Sequence, residues 1–366
     1  MRVMITGGGT GGHTSPAVAI IEDLRKRDPR LMVQWVGCRG GIEERVAQRI
    51  EVPFRSVLAE GWPRTMSLRR LRAGAKLALG VAQAILRITR FRPQVVVGVG
   101  GYVSLPLGFA AQRLGVPTVL HEQNKRLGMA NRLLAPRAAR IFLSYPDTLG
   151  DYPRDRASVV GNPVRAGFTR PPDRATARDA LGLEASTPVV LVSGGSQGAR
   201  TLNEATREAI AQFKSDEVQV LWMTGNADAA TARAAAEAAP ISVQVFSFID
   251  DMVTACAAAD LMIGRAGASS TAEIAMMGKP SILVPYPHAT DNHQEANARA
   301  FDEAGAAVLL LDDACTGAAL VQLLRDLLGD AERLTAMAQA ARSLARPGAA
   351  EAIGEEILTL AFERTP

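Results

Sequence analysis

Short runs of apolar, mostly β-branched residues recur along the chain: Val95–Val99, Val116–Leu120, Pro188–Val192, Val218–Met223, Val243–Phe246, Leu261–Ile263 and Ser281–Val284. Helix-length segments separate them. The runs are apolar throughout rather than alternating, so they predict strands covered on both faces, in parallel sheets built from βαβ units. The opening MRVMITGGGTGGHTSPAVAIIEDL and the internal TPVVLVSGGSQGARTLNEATREAI follow one plan: a short apolar strand, a Gly-rich turn, an amphipathic helix. This predicts one α/β nucleotide-type architecture used twice. The turn-like GNPVRAGFTRPPD around Gly161–Pro172 marks the boundary, which divides residues 1–162 from 163–347. A helical pattern then runs from Gly348 to Phe362, able to pack on either half.

Length and composition sharpen this reading. The 366 residues are too many for one ordinary core, and 48% hydrophobic against 21% charged residues exclude a disordered chain. No apolar run reaches the ~18–20 residues of a membrane span, and the glycine-rich start lacks the apolar stretch of a secretory signal. Cys38, Cys256 and Cys315 lie far apart without a CxxC, which favours a reducing cytoplasm and excludes a cysteine-built zinc site. Four histidines without HExxH speak against a dedicated catalytic metal. The net charge of +4 hides an asymmetry: residues 1–165 carry 26 basic and 11 acidic residues, the remainder 15 and 26. A basic half either meets an anionic surface or is simply attracted to the acidic half.

Candidate chemistry gathers at the predicted strand ends. In Gly7-Gly8-Gly9-Thr10-Gly11-Gly12-His13 the glycines leave backbone amides bare before a helix expected to start near Ser15-Pro16, with Pro16 in the first helical position. Bare amides at a helix N-terminus bind anions, although the loop also reads as an ordinary tight turn. The GxGxxG spacing is broken, and no acid follows the strand near Leu31–Val36, so a dinucleotide site is disfavoured. His13 suits either a general base or a phosphate donor. The loop Ser193–Arg200 adds Ser196 and Gln197 to its amides, which suits a diphosphate. Arg265–Glu273 opens another helix with small residues and hydroxyls. Glu273 there reads as a partner for two sugar hydroxyls or as a capping-box acid to Ser269 or Ser270. The segment Pro285–Asn297 brings polar groups to a further strand end, and His121-Glu122-Gln123-Asn124 does so in the first half, unless it is a hydrated loop.

Trp62–Arg92 combines eight basic residues (Arg64, Arg69, Arg70, Arg72, Lys76, Arg87, Arg90, Arg92) with no acid. Leu68, Leu71, Ala75 and Leu79 fall on one helical stripe and Arg69, Arg72 and Lys76 on another. This reads as a membrane-surface helix or as a buried helix edged by charge. Nucleic acid is less favoured, because no stacking array of aromatics accompanies the charge.

In order along the chain, GGGTGGHTSPAVA, LHEQN, VVGNPVR, SGGSQGAR, FIDDM, RAGASSTAE and NHQEANA closely resemble the MurG family over roughly residues 1–360. The resemblance implies a GT-B fold, two Rossmann-like domains with parallel sheets facing across a cleft. It implies inverting transfer of N-acetylglucosamine from UDP-N-acetylglucosamine to the C4 hydroxyl of N-acetylmuramoyl-pentapeptide on undecaprenyl diphosphate, lipid I becoming lipid II. It calls for no cofactor and no metal held by a DxD motif. It places the chain peripherally on the cytoplasmic face of the bacterial inner membrane, in peptidoglycan synthesis, beside other cell-wall and division proteins. By resemblance, the acidic half holds the donor. Ile249 meets the uracil, Glu273 the ribose hydroxyls and Ser196 the diphosphate; Ala268, Ser269, Ser270, Thr271 and Ala272 line the nucleotide, and Gln294 contacts the sugar. The family often has two glutamines where this chain has His293-Gln294. Arg165 reaches the donor from the hinge, and Thr10, Gly11, Gly12 and Asn124 complete the donor-sugar side from the first half. The first Gly-rich loop also receives the acceptor diphosphate, and His13 serves as base. Two competing readings are a UDP-N-acetylglucosamine 2-epimerase of related fold and a non-catalytic membrane scaffold that keeps a nucleotide site.

Overall fold

Unbroken apolarity in the strand runs has the expected consequence: every pairing between strands is parallel and helices cover both faces. The computed structural model describes residues 1–9, 11–61, 68–289 and 292–363; side chains at 11 and 68–71 are not described. Thr10 and Arg64 lie outside the described residues, as do the side chains of Arg69 and Arg70.

The chain forms two compact units, Met1–Ala166 with Arg346–Pro366, and Gly167–Ala345. The first holds β1 (Arg2–Thr6), α1 (Gly11–Arg27), β2 (Met32–Gly37), α2 (Ile42–Arg49), β3 (Phe54–Ser56), α3 (Leu68–Phe91), β4 (Val95–Gly98) and α4 (Ser104–Arg113). It continues with β5 (Thr118–Glu122), α5 (Met129–Leu134), β6 (Arg140–Leu143) and β7 (Ala157–Val159). After the short α6 (Ala166–Thr169), the second unit runs through α7 (Arg174–Leu181), β8 (Val189–Ser193), α8 (Arg200–Ile210), β9 (Gln219–Met223), α9 (Ala229–Ala238), β10 (Ser242–Phe246) and α10 (Met252–Ala258). It is completed by β11 (Leu261–Gly264), α11 (Ala268–Met277), β12 (Ser281–Leu283), α12 (His293–Glu303), β13 (Ala307–Leu309), α13 (Gly317–Leu328) and α14 (Ala331–Ser343). The last helix, α15 (Ala349–Glu363), returns to the first unit.

The first sheet has the order β3-β2-β1-β4-β5-β6-β7. Successive residues of a strand face opposite sides, so Val3 and Ile5 join one core while Met4 joins the other. On the first side Ile20 and Leu24 of α1 meet Ile353, Ile357 and Leu360 of α15. On the second, Ala84 and Ile88 of α3 meet Leu107 and Ala110 of α4. The second sheet has the order β10-β9-β8-β11-β12-β13, with Val190, Val192, Val220 and Trp222 packed against α8 and α13.

Two local expectations are corrected. The first helix begins at Gly11, so Pro16 lies inside it rather than in its first position. The N-cap of α11 is Gly267, not Ser269 or Ser270, and it makes no side-chain capping bond. Of the two readings of α3, the exposed one fits its described stripe residues, Ala75 and Leu79. Ala73, Ala84 and Ile88 are buried, whereas Leu79 is 56% and Leu86 46% exposed.

Candidate functional site

In a doubly wound sheet, ligands bind beyond the carboxyl ends of the strands where the order reverses. In the second unit that point lies between β8 and β11. A Cβ at Gly264 would come within 2.9 Å of the Ser193 carbonyl oxygen, so the two strand ends touch backbone to backbone. From β8 the chain enters the turn Gly194–Ala199 and then α8. Gly198 adopts φ +79°, and a Cβ there would run into the Thr224 carbonyl, so no other residue fits. From β11 it passes Arg265, Ala266 and Gly267 into α11. Two helix N-termini, with Ser196 before one and Ala268–Thr271 opening the other, therefore converge on the reversal point. Their partial positive charge is suited to a phosphate. Glu273, half-buried, lies in the second turn of α11.

The neighbouring turns are braced by side chains. Asn203 of α8 donates to the Thr224 carbonyl (2.9 Å) and to Asp228 (2.6 Å), and accepts from the Trp222 indole (3.1 Å). Asn297 of α12 donates to the Ala266 carbonyl at 3.0 Å. Gln294, in the first turn of α12, accepts the Tyr286 N–H at 3.0 Å. Ile249 is buried beyond β10, and its N–H points at Met223 Sδ, 3.3 Å away.

In the first unit the order reverses between β1 and β4. Here the Gly-rich loop is less bare than its sequence indicates. Glu43 of α2, 1% exposed, accepts the Gly9 N–H at 3.2 Å and the Cys38 N–H at 2.9 Å. Sequence reasoning missed Glu43, because an acid in the first turn of a helix ordinarily serves that helix's own N-terminus. Gly101, at φ +81°, packs onto the Gly8 backbone, which joins the turns after β1 and β4. His13, in the first turn of α1, is half-buried, and a Cβ on Gly100 would lie 3.2 Å from its Nε2 and 3.3 Å from Gln123 Oε1. Gln123 donates to the Val99 carbonyl at 2.5 Å. Gly12 precedes His13 on the exposed side.

The polar strand end of β5 is not a hydrated loop at its start: His121 and Glu122 are buried. Glu122 accepts from Gly128 N–H (2.8 Å) and Asn131 Nδ2 (2.9 Å) with one oxygen, and from Asn124 N–H and Nδ2 (3.1 Å each) with the other. The position of Asn124 is therefore set by Glu122, whose acidity burial weakens despite these donors. Arg165 lies next to the end of the first unit's segment Met1–Ala166.

His121 Nε2 lies 3.1 Å from the Gly161 carbonyl, so that nitrogen carries the proton. Burial pushes the imidazole down from 6.5 to about 4; the Gly161 bond opposes this and nearby His13 adds to it. The unfolded chain therefore binds a proton below pH 6.5 that the folded chain refuses until about pH 4. Stability contributed by the neutral ring is intact above pH 6.5 and falls by about 3 kcal/mol towards pH 4. Urea unfolding at pH 7 and pH 4.5 is expected to show this loss for the first unit, and His121→Gln to remove most of it. An equally steep acid limb in the variant would assign the loss elsewhere.

Two nucleotide-type units, one of them presenting two helix N-termini at its reversal point, suit a nucleotide-sugar enzyme, and comparison makes it a two-domain glycosyltransferase. The model of the glycosyltransferase family 28 N-terminal domain matches residues 3–143, and that of the family 28 C-terminal domain residues 189–353. The chain belongs to the MurG family of N-acetylglucosaminyltransferases. It is 42% identical to the UDP-N-acetylglucosamine--N-acetylmuramyl-(pentapeptide) pyrophosphoryl-undecaprenol N-acetylglucosamine transferase of Moorella thermoacetica, over 98% of both chains. The crystal structure of Acinetobacter baumannii MurG superposes with a TM-score of 0.75 at 30% identity, covering 98% of this chain and 99% of that one. A UDP-GlcNAc 2-epimerase from Neisseria meningitidis, covering 98% of this chain and 100% of its own, shares the fold alone, at a TM-score of 0.67 and 14% identity.

Proposed function

We propose that this chain moves N-acetylglucosamine from UDP-N-acetylglucosamine to the C4 hydroxyl of N-acetylmuramoyl-pentapeptide on undecaprenyl diphosphate, with inversion at the anomeric carbon, at a bacterial membrane surface. The observation that carries the donor site is the reversal point of the second sheet, where the ends of β8 and β11, which lead into α8 and α11, touch. The diphosphate lies against Ser196 and the amides before α8, and the helix offsets the charge of the departing UDP. Ala268, Ser269, Ser270, Thr271 and Ala272 line the nucleotide. Glu273 accepts both ribose hydroxyls, a pairing that a carboxylate's two oxygens suit. Uracil is read by the backbone of Ile249. The bond from its N–H to a thioether sulfur is weak, so a uracil carbonyl displaces it at little cost. Gln294 reaches the sugar from α12, and Arg165 supplies charge to the donor.

The first unit handles the acceptor, and its Gly11, Gly12 and Asn124, the last held in place by Glu122, also complete the donor-sugar side; His13 takes the proton of the attacking hydroxyl. Glu43 already holds the Gly9 N–H, so the acceptor diphosphate is met by the amides that follow it at the start of α1. The outward stripe Ala75, Leu79, Ala82 and Leu86 of α3 recurs at helical spacing and is exposed throughout. Lys76 and Arg72 flank it, paired with Glu60 at 2.6 and 3.5 Å. Apolar exposure beside basic residues fits adsorption to an anionic leaflet, and no described helix is long and apolar enough to cross a membrane. Docking of other cell-wall and division proteins belongs to the same reading.

The test is transfer itself. Labelled UDP-N-acetylglucosamine incubated with a lipid I analogue is expected to place label in lipid, and Glu273→Ala to raise KM for the donor by about 10–100-fold through loss of charge-assisted bonds. Epimerised free sugar, or no turnover, would support the competing readings instead.

A further inference from the structure

We propose that Asp312, which lies outside the expected site, is a positioning residue that holds the donor-binding turns of the second unit in register. This inference rests on the reading that those turns hold the UDP-sugar.

Gly194–Gly198 contributes almost no side chain to packing, so its placement depends on the first turn of α8 and on the neighbouring turns. Asp312 sits in a single 3-10 turn, Asp312–Ala314. After β13, at the sheet edge, this segment runs back towards α13, which packs on α8. On that return the carboxylate serves two partners. Its Oδ2 accepts from Thr201 Oγ1, in the first turn of α8, at 3.0 Å. Its Oδ1 pairs with the guanidinium of Arg265, the first residue after β11. The same guanidinium nitrogen donates to the Val284 and Pro285 carbonyls, 3.2 Å each, and the group lies over the Tyr286 ring at 5.6 Å. The Tyr286 N–H in turn meets Gln294.

One carboxylate thus links the first turn of α8 to the turn leading to α11 and, through Arg265, to the segment leading to α12. The strands beneath are paired without it. Only 18% of the Asp312 side chain and 12% of the Arg265 side chain are exposed, so the pair is little screened by water. The charges also oppose a simpler role. If Arg265 served the diphosphate merely as a cation, Asp312 would weaken that pull, and its removal would strengthen UDP binding. A positioning role demands the opposite.

The experiment uses the full chain with UDP titrated calorimetrically and with donor and acceptor kinetics. Asp312→Ala is expected to raise Kd for UDP and KM for UDP-N-acetylglucosamine about tenfold, with kcat changed less than about threefold and the KM for a lipid I analogue unchanged. Asp312→Asn is expected to recover most of this, because its amide oxygen still accepts from Arg265 and its NH2 donates to Thr201. Adding Thr201→Val to Asp312→Ala is expected to cost nothing further. Should Asp312→Ala fail to fold, Thr201→Val carries the test, with weaker UDP binding expected at an unchanged thermal midpoint. Glu273→Ala separates the two levels of the argument. If it weakens UDP binding while Asp312→Ala leaves it unchanged or tighter, or if Asp312→Asn behaves like Asp312→Ala, the positioning role is overturned. If Glu273→Ala also leaves UDP binding unchanged, the donor site itself is misplaced and the proposal falls with it.

Discussion

His13→Ala is expected to lower kcat by about 10²–10⁴-fold, the range in which a positioned base acts, while leaving UDP affinity within about threefold. The attacking hydroxyl must lose its proton as it bonds to the anomeric carbon, and a positioned imidazole is suited to accept it. His13 stands in the first turn of α1, at the reversal point of the first sheet, with Gly100 beside its Nε2. Any side chain on Gly100 would displace the ring. Steady-state kinetics with a lipid I analogue, paired with UDP calorimetry, checks this. An unchanged kcat would remove His13 from the chemistry.

The second large effect concerns the membrane. Each basic residue near an anionic leaflet contributes about 1 kcal/mol, so neutralising Arg69, Arg70, Arg72 and Lys76 together is expected to weaken binding to anionic vesicles by up to about three orders of magnitude at low salt. Glu60 already pairs with Arg72 and Lys76, which places the measured loss below that ceiling. Replacing Leu79 and Leu86 by Ser is expected to weaken binding as well, but with little dependence on salt, because burial of apolar area is not screened. Co-sedimentation across a salt series distinguishes the two contributions. Unchanged sedimentation of the charge variant would place the anchor elsewhere.

The sequence left α3 open between a surface helix and a buried one. Helical spacing put Ala75 and Leu79 on a common stripe, and an apolar stripe ordinarily faces the core. The core takes Ala73, Ala84 and Ile88 instead, and the stripe points outward. Periodicity names a face; only packing against α4 says which face is inside. Pro16 teaches the same lesson at a helix end. The sequence rule prefers proline in the first helical position, yet α1 starts at Gly11.

By itself the sequence determined the parallel α/β architecture of both units, their Gly-rich turns and the family to which the chain belongs, because apolar runs, turn residues and ordered motifs are local properties. Ser196 and Glu273 stood out as candidates for the same reason, each lying in a motif at the end of an apolar run. Tertiary structure alone decided what supports those motifs. Glu43 takes a backbone amide 34 positions before it, and Asp312 reaches Thr201 from 111 positions away. Burial pushes the His121 imidazole down to about 4, against the opposing bond from its Nε2 to the Gly161 carbonyl 40 positions away. Such contacts follow from strand order, and strand order follows from how the whole chain buries its apolar surface, which no local pattern records.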